Sequence, residues 1–284
     1  MRILLANVAS AKQESEEARF IRDALLPLWK KNFELVKQKD TEIVARFPAW
    51  GITGLDGFFY SYIDTLNSQS VFHAAVQAEQ EGFDAVLIAC FGDPMLWQIR
   101  QAVDIPVASL GESSMLLAGM MGHKFGVVTI SPYNIYEMEH TIAKYGLEHR
   151  YAGARANPET GDEQGMAIID ARNAIESFKK AARDLIEKGA EIIIPGCGLL
   201  SPALRLAPGA EAEYPGGLTA VDGVPVMDVM ASALVMVETI VTLKKAGSAW
   251  ISRKGLFARA TDRAREAGRM VLQDNRMSYW DAVL

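Results

Sequence analysis

The chain contains two cysteines, Cys90 and Cys197, and both stand where an apolar run gives way to a glycine-containing turn. A thiol can accept or donate a proton near neutral pH once its surroundings bring its pKa toward the working range. Two thiols on opposite faces of a carbon next to a carbonyl would invert that carbon, one removing the α-proton and the other returning one from the far side. The intermediate is enolate-like and needs hydrogen-bond donors where charge develops. Backbone amides of the turns after Cys90 and Cys197, aimed by helix N-termini, are suitable donors, and the same helix ends would favour thiolate. Such chemistry calls for no metal and no cofactor. A single cysteine at a strand end is more simply read as a small apolar filler. What argues for chemistry is that these two occupy equivalent places.

That equivalence is written in the surrounding residues. In the first half Glu81-Gly82-Phe83-Asp84 leads into Ala85-Val86-Leu87-Ile88-Ala89-Cys90; in the second, Lys188-Gly189-Ala190-Glu191 leads into Ile192-Ile193-Ile194-Pro195-Gly196-Cys197. Each cysteine lies eight residues after the glycine that closes the preceding helix. Asp93-Pro94 and Ser201-Pro202 then read as helix starts, with the first residue of each pair as N-cap. Ile105-Pro106-Val107 is echoed by Val224-Pro225-Val226, and the opening strand that ends at Asn7 by Gly126-Val127-Val128-Thr129. Together these echoes read as an internal duplication.

The elements that must position the thiols alternate between short apolar runs and helical patterns, as in α/β proteins with parallel sheets. Strands are expected at residues 3–6, 42–46, 85–89 and 106–109, then at 125–130, 150–154, 191–195 and 225–228. Helices are expected at 13–29, 71–81, 133–145 and 171–188, among others. The expected fold is two similar open, mainly parallel-sheet domains related by pseudo-twofold symmetry, with the active site in the cleft between them. Ligands bind such sheets outside the carboxyl ends of the strands, where both cysteines fall. Residues 1–118 plus about 224–250 would form the first domain, 119–223 the second, and 251–284 a C-terminal helical extension.

With 284 residues, half of them hydrophobic and 23% charged, the chain can bury a sizeable core. A formal charge of −6 argues against nucleic acid and anionic membrane surfaces as partners. The opening apolar stretch ends in the charged run 12–22, which does not read as an export signal. Residues 229–243 contain Glu238 and are too short to span a bilayer. A cytoplasmic protein with reduced thiols is therefore expected.

Taken with their flanks, these residues resemble the Asp/Glu/hydantoin racemase superfamily, and most of all its hydantoin and allantoin branch. The resemblance covers about residues 1–245. It is carried by Ala89-Cys90-Phe91-Gly92-Asp93-Pro94, by Gly196-Cys197-Gly198 and by Gly126-Val127-Val128-Thr129-Ile130-Ser131-Pro132-Tyr133. It implies two catalytic cysteines, no cofactor, a small-molecule substrate and a homo-oligomer. Carried onto this chain, Cys90 and Cys197 would be the acid/base pair, and Asn7, Gly92, Thr129, Tyr133 and Gly198 would line the polar groups of the substrate. The chain departs from the pattern at Asn7-Val8-Ala9-Ser10, where the family usually has Asn-Pro-Asn, and at the apolar Gly198-Leu199-Leu200. An aromatic and glycine-rich segment, 50–72, looks like an insertion: a lid, the wall of an apolar pocket or an oligomer contact. The tail has a helical middle at 261–272, and Tyr279-Trp280 suggests docking on a neighbour.

The implied reaction is racemisation of a 5-substituted hydantoin or related cyclic ureide, with an α-amino acid as second choice. A decarboxylase or cis-trans isomerase on the same fold, and a two-lobed binding protein without catalysis, are the rivals. His73, His123, His140 and His149 show no metal spacing, and three glycines within 51–57 lack the strand-to-helix context of a phosphate loop. Glu112 reads as a first-turn helix charge, and Tyr133 reads equally well as a packing residue at a helix start.

Overall fold

The computed structural model describes residues 1–157, 161–268 and 278–284. Strands β1 (Arg2–Ala6), β2 (Glu42–Pro48), β3 (Ala85–Ile88) and β4 (Val107–Ser109) form one parallel sheet. Strands β5 (Phe125–Thr129), β6 (Tyr151–Ala156) and β7 (Ile192–Pro195) form a second. A short antiparallel ribbon, β8 (Ala220–Val221) with β9 (Val224–Pro225), precedes the helix Val229–Lys245. Covered on both faces, β1, β3, β5 and β7 read as unbroken apolar runs rather than as alternating ones.

The duplication holds at the level of register. In the first sheet the order is β2-β1-β3-β4; in the second it is β6-β5-β7, with a parallel bridge from Ile193 of β7 to Val226 in the place of a fourth strand. Val86 pairs with Val107 and Ile193 with Val226, and each cysteine lies four residues beyond the first member of its pair. The Ala89 amide donates to the Ala6 carbonyl at 2.9 Å, and the Gly196 amide donates to the Val128 carbonyl at 2.8 Å. Asn7 and Thr129, the residues that follow those two carbonyls, are thus structural equivalents. The helix Val229–Lys245 crosses back to pack on β3, β4 and the helix Leu110–Met121. No helix among the described residues is long and apolar enough to cross a membrane.

Two local expectations are corrected. The helix expected over 13–29 runs as Glu16–Phe20, a π-turn at Ile21–Leu25 and Leu26–Glu34. Pro27 lacks an amide hydrogen, and the wider turn absorbs the missing bond. The tail, expected to be helical, has a short helix at Asp262–Ala267 and ends in β10 (Tyr279–Val283); residues 269–272 of the expected helical middle lie outside those described. Strand β10 pairs antiparallel with β2, so Tyr279 and Trp280 dock on this chain's own sheet. The Trp280 ring stacks on Phe47 at 4.8 Å and its Nε1 donates to the Ala11 carbonyl at 2.7 Å. Arg46, buried in β2, donates through Nε and Nη2 to the Asp281 carboxylate, at 2.8 Å each. Removing one partner of a buried ion pair leaves an uncompensated charge. Asp281→Ala is expected to cost about 2 kcal/mol in urea unfolding, less than the full cost of such a charge because Glu81 still reaches Arg46.

Candidate active site

The carboxyl ends of the two sheets enclose a cavity of about 630 Å³, the size of a small-molecule site. Cys90 and Cys197 both line it, and both are free, half-buried thiols. The two cysteine loops touch. A Cβ on Gly198 would lie 2.7 Å from Leu110 Cδ1 and 3.4 Å from the Ala89 carbonyl oxygen, so the residue after the second thiol packs against the residue before the first. A Cβ on Gly92 would stand 3.7 Å from the Cys90 sulfur. Glycine at 198 lets the second cysteine loop approach the first this closely, whereas the space at Gly92 would take a Cβ in ordinary contact.

Each loop is pinned from outside. Ser109 Oγ donates to the Cys90 carbonyl at 3.1 Å, and Trp29 Nε1 donates to the Gly198 carbonyl at 3.2 Å. Asp93 and Ser201, expected to cap the helices that follow their own cysteines, instead cap helices further along the chain. The Asp93 carboxylate accepts the Gly111 and Glu112 amides at 2.8 and 2.7 Å, at the start of Leu110–Met121, together with the Tyr145 hydroxyl at 2.7 Å. Ser201 Oγ accepts the Val229 amide at 3.0 Å, at the start of Val229–Lys245. The helices after the cysteines are short, Leu96–Ala102 and Leu200–Leu206, and begin without side-chain caps. The repeat thus ties each cysteine turn to the helix that follows the next strand position.

Burial pushes both thiols above the ordinary range, against the expectation that helix ends would favour thiolate. For Cys197 the amides of Leu200 and Leu199 oppose that rise, the Leu199 N–H reaching the sulfur at 3.4 Å. For Cys90 the negative charge of Asp64 adds to the rise, and the Gly92 amide alone opposes it. A thiol held high is a stronger base once ionised, which suits proton removal from carbon.

Of the other residues singled out from the sequence, Asn7, Gly92, Thr129 and Gly198 line the cavity and Tyr133 does not. Asn7 Oδ1 is occupied by the Ala9 amide at 2.8 Å, which leaves its Nδ2 group as the donor. Tyr133 is exposed and stacks on Tyr60 with 5.6 Å between ring centres. The helix Tyr133–Lys144 turns a different face to the cavity: Asn134, Glu137, Met138 and Thr141, spaced as neighbours on one side of a helix. The 50–72 segment is cavity wall, contributing Thr53, Gly54, Leu55, Phe58 and Asp64. It is anchored by Asn67, which accepts the Ile52 amide at 3.0 Å and donates to the Val8 carbonyl at 2.9 Å. Asn134 Nδ2 donates to the Phe58 carbonyl at 3.0 Å and so ties this wall to the helix of the second unit.

The charge of the lining is one-sided. Glu16, Glu17, Asp64, Glu137 and Asp162 line the cavity, and no lysine, arginine or histidine does so among the described residues. Burial and the nearby Glu137 raise the Asp64 carboxyl to about 6. The rest of the wall is largely apolar, with Phe20, Ile21, Leu25, Trp29, Phe47 and Ile130.

Comparison with known proteins adds three kinds of likeness. The family model described as Asp/Glu/Hydantoin racemase matches residues 34–237. A hydantoin racemase of Pseudomonas sp. (strain NS671) is 32% identical over 213 residues, 73% of this chain and 77% of that protein. A hydantoin racemase of Paenarthrobacter aurescens is 29% identical over 247 residues, 86% of this chain and 92% of that protein. Among solved structures, an allantoin racemase from Klebsiella pneumoniae superposes with a TM-score of 0.69 at 25% identity, covering 92% of this chain and 94% of that one.

Proposed function

This chain belongs to the Asp/Glu/hydantoin racemase family, and on that premise we propose that it racemises a 5-substituted hydantoin or related cyclic ureide through Cys90 and Cys197. The reading rests on one observation above the others: the chain's two cysteines hold the same register position on two equivalent sheets and line one cavity. One thiolate takes the proton from the ring carbon beside the carbonyl, and the opposing thiol returns a proton to the other face. Charge moves onto the carbonyl oxygen in the enolate-like intermediate, where the Nδ2 group of Asn7 and the hydroxyl of Thr129 are available donors. The reaction in this form needs no cofactor.

The lining supports a cyclic ureide over a free amino acid. An α-carboxylate transferred into a cavity with five acidic residues and no cation among the described residues would lose its hydration without compensation. A neutral ring with an apolar substituent fits the aromatic and aliphatic wall. The test is a panel of enantiopure 5-substituted hydantoins, allantoin and amino acids followed by polarimetry. Rotation should decay for cyclic ureides and persist for the amino acids. Decay with amino acids alone would overturn the substrate assignment, and thermal stabilisation by a hydantoin whose rotation persists would point to a binding protein instead.

A further inference from the structure

The cavity contains a carboxylate that the two-thiol reaction does not use. Asp64, on the helix Ser61–Asn67, lines the cavity, and its Oδ1 is buried without a hydrogen-bond partner. Its charge reaches the Cys90 thiol. Other groups facing this region are Asp93 from the turn after Cys90, Cys197 from the opposite loop, and Glu137, which faces Asp64 from the helix Tyr133–Lys144. Asp93 differs from Asp64 in kind, because its carboxylate is held by two backbone amides and the Tyr145 hydroxyl at a helix start. Lys144 acts on Asp93 and stacks over Trp97 at 4.2 Å; it is not among the residues that line the cavity. Asp64 is partly buried, and no cation pairs with it among the described residues; a carboxylate in that position acts more strongly on its neighbours than one in open water. Cys197 has the opposite surroundings, with the Leu199 amide on its sulfur and that of Leu200 beside it.

We propose that Asp64 is the positioning residue that makes the two sulfurs unequal: its unneutralised carboxylate holds Cys90 as the thiol of the resting protein and leaves Cys197 as the sulfur that ionises first. For turnover this rests on the racemase reading, but the inequality itself is a property of the free protein. In the first half-reaction the Cys197 thiolate takes the proton from carbon, and the C–H electron pair passes into the enolate. The Cys90 thiol then delivers its proton to the opposite face of the same carbon and keeps the S–H electron pair as thiolate. The protein is left with the two roles exchanged, in a state that Asp64 disfavours by like-charge repulsion. It returns by turning over the opposite enantiomer or by exchanging protons with water. The two enantiomers are equal in energy, so kcat/KM must be the same in both directions. The bias therefore appears as different kcat and KM values for the two enantiomers, with their ratio conserved.

The test is alkylation by neutral iodoacetamide across a range of pH, with labelling of each cysteine quantified by mass spectrometry and no substrate present. In the wild type Cys197 should label with a lower pH midpoint than Cys90. Asp64→Asn should lower the Cys90 midpoint by about one pH unit and leave that of Cys197 nearly unchanged. Asp64→Glu should restore it, and Asp64→Ser provides a second uncharged variant should the amide fail to fold. An unchanged Cys90 midpoint, an equal shift at both sulfurs, or earlier ionisation of Cys90 in the wild type would each overturn the proposal. None of these readings depends on the identity of the substrate, so the loss of this inference and the loss of the racemase reading are separate results.

Discussion

Cys90→Ser and Cys197→Ser are each expected to lower the kcat for racemisation by about a thousandfold, with the fold intact by circular dichroism. A serine hydroxyl keeps the size and approximate place of the thiol, but it is far too weak an acid to ionise at neutral pH. Each substitution therefore removes proton transfer at one face of the substrate carbon. The remaining sulfur still works at its own face, so each variant should retain hydrogen exchange on one enantiomer without inverting it. Because the two groups act as a unit, the double variant should be little worse than either single one. Polarimetry reads the loss of inversion, and the isotope content of recovered substrate reads the surviving exchange. If either variant racemises at the wild-type rate, that cysteine is not an acid or base in the reaction.

Gly111→Ala is expected to have the largest effect on stability among single-methyl additions near the site. A Cβ there would lie 2.3 Å from the Phe91 carbonyl oxygen and 2.8 and 2.9 Å from the two oxygens of Asp93. Phe91 directly follows Cys90, and the Asp93 carboxylate closes the start of the helix Leu110–Met121. The methyl group must push this turn away, and doing so strains or breaks two hydrogen bonds to a buried charge. A cost of about 3 kcal/mol in urea unfolding follows from overpacking and a lost charged hydrogen bond together. Because the displaced turn carries Cys90, kcat should also fall, by about a hundredfold for a shift near 1 Å. Gly146→Ala is the control. It has a positive φ of 69° but nothing within 4 Å of the added carbon, so its cost should stay near 1 kcal/mol, with activity unchanged.

The parts of this fold legible in the sequence are those set by local pattern. The strands leading to Cys90 and Cys197 are buried on both faces, so burial wrote them as apolar runs, and the glycine before each run marks a real helix end: Gly82 and Gly189 both have positive φ. The echo of Ile105-Pro106-Val107 in Val224-Pro225-Val226 corresponds to Val107 pairing with β3 and Val226 with β7. What local pattern could not carry is contact across long stretches of chain. Asp93 and Ser201 have the right chemistry for N-caps, but the amides they meet lie 18 and 28 residues away. Tyr133 begins a helix as expected, yet helical geometry turns its ring toward Tyr60 and brings Asn134 and Glu137 to the cavity instead. Asp64 stood inside an aromatic and glycine-rich stretch whose role depended on where it folded. For the tail a signal was present: a buried arginine within an apolar strand, Arg46, requires an anionic partner, and Asp281 of β10 supplies one.

The most direct test of the two-thiol mechanism follows a single enantiomer of 5-substituted hydantoin in deuterium oxide during the first few per cent of reaction. Opposed sulfurs predict deuterium at the inverted carbon of the product and protium in the unreacted substrate, because the proton removed from one face is not the one returned to the other. Product that keeps its original protium, or deuterium appearing equally in both enantiomers from the first turnovers, would contradict it.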